Sequence, residues 1–336
     1  MRLQKVLLTG LCLLSGTHGL YAKETTSGFN PSHVALATDS PSADALHRNM
    51  VNSWDAAEWS DVLMYGEQLL EEFPSSPLAQ EVPFLLGMAH YQLNESTLAV
   101  EQLDRYLLQS APRRFVEALE VKLLIAEHWA AGGKKRLFDV RALPKWQSAH
   151  EQSIQLFDEV LASLPNHPLA TRALLGKGKV LRQEGDLKGA MECSQQLIRK
   201  FPRDLLAQEA YVQLTEMYEE QGRTHFHDPN LLDQAELTVN KFERAFPGSP
   251  RIAEARLTLD RIRERYASGC LETARFYQKL GHPSAAAVYY GTVLRQYGKT
   301  AAVQEAKKGL LGLRKRGQLS QEFLPLIEEA APVQSS

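Results

Sequence analysis

Two groups of side chains in this sequence have types and spacings suited to chemistry. His225-Phe226-His227-Asp228 sets two imidazoles and a carboxylate within four residues. Those donors suit Zn²⁺, but a structural zinc site usually takes four ligands. The competing reading is a solvated loop in which Asp228 or Asn230 caps the next helix. Arg172, Lys179 and Arg182 form the second group. Charged residues of this kind are hard to bury, and an Arg fork matches a carboxylate with two parallel bonds. The runs Lys134-Lys135-Arg136 and Arg314-Lys315-Arg316 read as helix-end charges or solvated loops. The second run also suits contact with anionic lipid head groups. There is no phosphate-cradling Gly loop, His-Glu-x-x-His, Cys-x-x-Cys or nucleophile elbow. No nucleophile, base and orienting group fall together, so the chain reads as a non-enzyme that needs no cofactor.

The elements that must carry these residues follow one register. Gly178, Gly185, Ala190, Leu197 and Pro202 are separated by 7, 5, 7 and 5 residues. Gly281, Ala286, Val293 and Gly298 repeat the gaps 5, 7 and 5. Ala235, Phe242 and Pro247 repeat 7 and 5, as do Ala99, Tyr106 and Ala111. Phe-Pro-like stops close amphipathic stretches at Phe73-Pro74, Leu164-Pro165, Phe201-Pro202 and Phe246-Pro247. This is the second half of the tetratricopeptide pattern. Gly87 and Gly178, each 12 residues before Ala99 and Ala190, supply the first half. Small residues are expected there because the two helices of a pair touch backbone to backbone. The fold class is all-α, a tetratricopeptide-type α-solenoid (a right-handed superhelix of helical hairpins) in which neighbours stack to bury their apolar stripes.

The chain has 336 residues, 44% of them hydrophobic and 23% charged, with a formal charge of -2. That balance excludes the usual basic nucleic-acid binder. Residues 1–22 read as an export signal: Arg2 and Lys5, the apolar run 6–14, then Leu20-Tyr21-Ala22 as a cleavage site. Cys12 belongs to the apolar run or to a relaxed lipid-attachment site, since Leu11 stands where Gly or Ala is usual. Residues 23–44 read as a tether, 45–201 as an N-terminal repeat array and 202–331 as a C-terminal one. Cys193 and Cys270 are expected as unpaired thiols in separate repeats. Pro83 must either delay or kink its helix. Insertions are expected at 134–148 and 223–230, and one very long helix, or two meeting at Gly269, over 250–280. A last short helix is expected at 321–330. No strand pattern of useful length is visible.

In tetratricopeptide stacks the first helix of each pair lines the concave face. That geometry implies a groove formed by Phe84, Met88 and Tyr91, then Lys122 and Trp129, then Arg172, Lys179 and Arg182. Such a surface, aromatic and then basic, suits an extended peptide with aromatic side chains and a carboxylate. For Phe84, Met88 and Trp129 plain inter-repeat core is the competing reading.

The C-terminal half carries a closer likeness. Asp228-Pro229-Asn230, Phe242-Glu243-Arg244-Ala245-Phe246-Pro247-Gly248-Ser249, Glu272-Thr273-Ala274-Arg275-Phe276-Tyr277-Gln278-Lys279-Leu280-Gly281 and Leu294-Arg295-Gln296-Tyr297 resemble the tetratricopeptide lipoprotein subunit of the outer-membrane β-barrel assembly machine (BamD-like). The likeness is best over 228–297 and looser over 54–112, with extra helices around 149–201. It implies a periplasmic scaffold at the inner face of the outer membrane. The N-terminal groove would take an unfolded outer-membrane protein segment. The C-terminal repeats would dock the barrel-forming subunit, with Arg275, Lys279, Tyr289 and Arg295 as candidates. Tyr289 stands where the family usually carries an Arg used in that docking. The alternative is another periplasmic repeat scaffold, such as one coordinating cell division and envelope constriction.

Overall fold

A computed structural model describes residues 42–132, 134–136, 145–224 and 228–325. The export signal, Cys12 and the tether up to residue 41 lie outside the described residues, as do His225, Phe226 and His227 and the end of the expected last helix. From Ala43 onward the chain forms one compact unit. Thirteen α-helices occur among the described residues. They are α1 (Ala43–Asp55), α2 (Trp59–Glu72), α3 (Val82–Gln92), α4 (Ser96–Leu107), α5 (Phe115–Ala130), α6 (His150–Ser163) and α7 (Pro168–Gln183). Then follow α8 (Leu187–Lys200), α9 (Leu205–Thr224), α10 (Pro229–Ala245), α11 (Ile252–Lys279), α12 (Pro283–Gln296) and α13 (Ala302–Lys315). Each helix packs on the next, and each odd helix from α3 onward also packs on the following odd one. That double contact is the solenoid: hairpins stacked with their first helices side by side.

Two kinds of terminator alternate along the stack. First helices end on a left-handed residue: Asn94 at φ 59, Gly185 at φ 85 and Gly281 at φ 77. The next amide then reaches back five residues, as in Asp186 N–H to Leu181 O at 2.9 Å and His282 N–H to Tyr277 O at 3.0 Å. This satisfies carbonyls that the helix end leaves open. Second helices end on a large apolar residue in a non-helical conformation: Phe73 (φ -131, ψ 53), Leu164 (φ -132, ψ 58), Phe201 (φ -127, ψ 57) and Phe246 (φ -133, ψ 62). A following Pro keeps its predecessor out of the α region, so the Phe-Pro stop is a steric instruction. Second helix α4 ends differently, with Leu108 still helical as its cap.

Inside the hairpins the small residues meet backbone. A Cβ on Gly87 would lie 3.3 Å from Ala99 O and 2.8 Å from Leu103 Cγ. One on Gly178 would lie 3.5 Å from Ala190 O. Both contacts join the positions spaced 12 apart in the sequence. Pro83 delays its helix: it sits in the first turn of α3, after a 3-10 turn at Pro77–Gln80. Residues 252–279 form one unbroken helix through Gly269, about 42 Å long at 1.5 Å per residue.

The first insertion holds two very short strands. Lys134–Arg136 (β1) and Lys145–Ser148 (β2) pair antiparallel within the first insertion. Neither alternates apolar with polar residues, so nothing in their pattern announces a sheet; they are joined by backbone bonds. The second insertion is shorter than expected, because α9 runs to Thr224 and α10 starts at Pro229 behind an Asp228 cap. Cys193 and Cys270 are unpaired thiols. Burial pushes the Cys193 thiol up to about 11.

Candidate peptide groove and partner-docking corner

The first-helix face does not carry the aromatic-then-basic groove expected from the repeat geometry. Phe84 is 1% exposed, Met88 3%, Lys122 1% and Trp129 5%, so these four belong to the inter-helix core. Phe84 packs against the Tyr106 ring at 5.5 Å with the Arg114 guanidinium 5.2 Å over its face. Lys122 is the instructive case. Its ammonium donates to Asp104 on α4 and Glu159 on α6. Two carboxylates offset the loss of water around one buried cation.

The basic trio is also engaged. Arg172 donates from Nε to Glu127 Oε1 at 3.0 Å and from a terminal nitrogen to Glu127 Oε2 at 2.6 Å. Arg182 spans to Glu216 at 2.9 Å and Glu220 at 3.1 Å on α9. Burial lowers the affinity of the Arg182 guanidinium for its proton, but these two carboxylates outweigh it and the group is held above its ordinary value. Further along, Arg251 meets Glu209, and Arg261 meets the nearly buried Glu219 at 3.0 Å. The first helices are thus laced to one another by Arg–Glu pairs, and the expected basic field is largely neutralised. Lys179 is the exception: it is exposed and has no hydrogen-bond or ion-pair partner among the described residues.

A cleft of about 520 Å³ remains on this face. Leu175, Gly176, Ala130, Ala131 and Leu206 give it an apolar lining. Arg172 and Glu127, a closed pair, also line it, as do Lys179 and Gln183. Tyr91 borders this region: burial raises its hydroxyl pKa, Glu127 adds to the rise and Arg172 opposes it. Of the eight expected groove residues, Tyr91, Arg172 and Lys179 therefore share one neighbourhood. Arg182 lies at the far end of α7. Leu175 and Leu206 were not anticipated, because their spacing is indistinguishable from that of core leucines.

A second surface lies where α11 turns into α12. Phe276 is 57% exposed, Leu280 55% and Val288 53%. Tyr277 and Tyr289 stack at 5.6 Å with an interplanar angle of 10°, and Phe276 meets Tyr277 edge-on at 5.7 Å. Phe276 and Leu280 are four apart and form a stripe offset from the buried Leu271 and Ala274, the one signal that could have marked them. Among the four expected docking residues, Tyr289 and the exposed Lys279 belong to this corner. Arg275 pairs with Glu305 on α13. Arg295 stands apart, its guanidinium 5.9 Å from the Phe323 ring.

Among the described residues there is no cluster of three or more His, Cys, Asp or Glu that could hold a metal. No described helix is long and apolar enough to cross a membrane.

Among solved structures the chain is similar to a tetratricopeptide repeat protein from Parabacteroides merdae ATCC 43184 (14% identity, TM-score 0.40, 86% of this chain and 98% of that one). It is also similar to MamA from Desulfovibrio magneticus RS-1 (14% identity, TM-score 0.37, 62% and 95%) and to MamA AMB-1 (14% identity, TM-score 0.38, 63% and 95%). These likenesses bear on no partner or function. No curated protein matches the sequence. A family profile described as outer membrane lipoprotein, YfiO, matches residues 145–321. The match takes in α6 to α8, so the helices expected as extras around 149–201 fall within it, while the looser likeness over 54–112 falls outside. With more than half its length matched, and with stacked hairpins through that whole stretch, the chain belongs to the YfiO family of outer membrane lipoproteins.

Proposed function

We propose that this protein is a non-enzymatic envelope scaffold for assembly of outer-membrane β-barrel proteins, docking the barrel-forming subunit through the α11–α12 corner. One observation supports this most: the exposed Phe276, Leu280 and Val288 beside the Tyr277–Tyr289 stack, inside the family-matched residues. Large apolar side chains grouped at a helix corner mark an interaction surface. Burying the exposed half of each against a partner gains about 1 kcal/mol or a little more, half the ~1.5–3 kcal/mol of a whole side chain, so several anchors together can hold a complex. Tyr289, in the place of the family's Arg, contributes a stacked ring here, so this docking depends on packing more than on an ion pair. The concave cleft between α5, α7 and α9 is assigned to an extended segment of an unfolded outer-membrane protein. Leu175 and Leu206 supply the apolar contact, and Lys179, exposed and near enough for its charge to act on Glu209, is the cation for a carboxylate. The family description supports an envelope location for the scaffold, and intact mass of the exported chain checks whether Cys12 carries lipid.

The test uses tagged full-length protein purified from detergent-solubilised envelopes. Wild type is expected to retain the barrel-forming subunit, identified by mass spectrometry, and Phe276→Asp with Leu280→Asp to lose it without a change in melting temperature. Absence of that subunit from wild-type preparations overturns the docking assignment. For the cleft, Lys179→Glu is expected to weaken binding of a fluorescein-labelled C-terminal outer-membrane protein peptide about tenfold. Unchanged anisotropy curves would remove the cleft from the proposal.

A further inference from the structure

Away from the concave face, the second helices α8 and α10 both pack on α9 and leave a cleft of about 500 Å³ between them. That volume lies within the range of about 300–1,000 Å³ usual for ligand sites. Tyr211, Leu214 and Tyr218 of α9 form its floor, and Ile198 and the half-exposed Leu237 flank it from either wall. Arg199 on α8 and Lys241 on α10 stand at its edges, both exposed. No Asp or Glu lines the cleft.

The two cations are unanswered among the described residues, as are several other exposed cations such as Lys188 and Lys279, but these two flank one cleft. Arg172, Arg182, Arg251, Arg261 and Arg263 each meet a carboxylate within 4 Å on another helix or turn. Arg199 and Lys241 have no hydrogen-bond or ion-pair partner among the described residues. Proximity to helix C-termini accounts for a cation on each helix. It does not account for a cleft between them whose lining carries no acid. The positions are those at which an incoming anionic segment would find two charges and an apolar seat.

We propose that this cleft is a docking site for an acidic amphipathic helix of a partner protein. An apolar residue of that helix would seat against the exposed Leu237 and the partly buried Ile198, above the buried Tyr211 and Tyr218, with carboxylates one turn away meeting Arg199 and Lys241. A helix fits better than a strand because the walls and floor are themselves helices and offer no open backbone edge for strand addition. The site is independent of the concave cleft and of the α11–α12 corner, so the two proposals fail separately.

The experiment measures anisotropy of a fluorescein-labelled 16-residue helical peptide with full-length protein at about 150 mM salt. The peptide carries Leu at helical spacing flanked by Glu, and a second version carries Lys in place of every Glu. The Glu peptide is expected to bind at least tenfold tighter than the Lys peptide. Arg199→Glu with Lys241→Glu is expected to reverse that order, and Leu237→Glu to abolish binding of the Glu peptide. All three residues are exposed or half-exposed, and unchanged melting curves confirm that the variants fold. Lys179→Glu, on the concave face, is expected to leave the affinity within twofold. Equal affinities for the two peptides, no binding of either, or insensitivity to the double variant overturns the proposal. So does concentration-dependent dimerisation that Leu237→Glu removes, which would give the cleft to a second copy of this chain.

Discussion

Lys122 shows what a single residue's surroundings can do to its meaning. In sequence it is a lysine on a first helix, at a position that repeat geometry points toward the groove. In the structure its side chain is 2% exposed, and its ammonium bridges Asp104 and Glu159, whose own side chains are 47% and 48% exposed. The partners come from 18 and 37 residues away, so no local pattern could announce them. Lys122→Ala is expected to cost about 2–3 kcal/mol in urea unfolding, below the full penalty for breaking a buried pair because both carboxylates keep contact with water. Lys122→Met retains the packing of the aliphatic stem and is expected to cost less than half as much. If both variants unfold at the wild-type midpoint, the bridge contributes nothing. Arg172 and Arg182 follow the same logic. Their forks are engaged by Glu127, Glu216 and Glu220, so reversing their charge would unlace the first helices before it touched any peptide.

At the scale of the element the sequence was far more legible, because terminators act locally. Gly185 and Gly281 end first helices, Phe201-Pro202 and Phe246-Pro247 end second helices, and each does so through the backbone of its immediate neighbours. The hairpin at β1 and β2 was not legible, since its backbone pairing leaves no apolar alternation to read. Gly87→Val is expected to destabilise by about 2–3 kcal/mol through overpacking against Leu103 and the Ala99 carbonyl. A wild-type urea midpoint would mean that α3 and α4 can separate at no cost. The contact between α9 and α11 adds a pH test. Glu209 lies below its ordinary value of 4.5: burial pushes it up, but bonds from Arg251 and Gln213 and the charges of Arg251 and Lys179 outweigh that. A carboxyl more acidic in the folded state contributes its full stabilisation above its unfolded value and loses it as pH falls through the folded one. Glu209→Gln is therefore expected to melt below wild type at pH 7, with the gap closing as pH drops below 4.5. A constant gap across that range would show that the pair is not the source.

For the whole molecule, buried residues form a continuous cluster from Ala190 to Phe323. The Tyr211 and Phe242 rings stack at 5.0 Å near its middle, a geometry worth about 0.5–1.5 kcal/mol beyond area alone. Architecture was readable because stacking repeats need one register throughout. The surfaces were not, because exposure at Phe276 or pairing at Arg182 depends on which helix arrives from another repeat.

The 28-residue helix α11 gives this arrangement a mechanical consequence. Its N-terminal end is clamped at Arg251 to Glu209, and its C-terminal end presents Phe276 and Leu280. With no break at Gly269, it is a stiff lever crossing two hairpins. A partner held at its exposed tip would therefore be mechanically connected, through one unbroken helix, to the clamp beside the concave cleft.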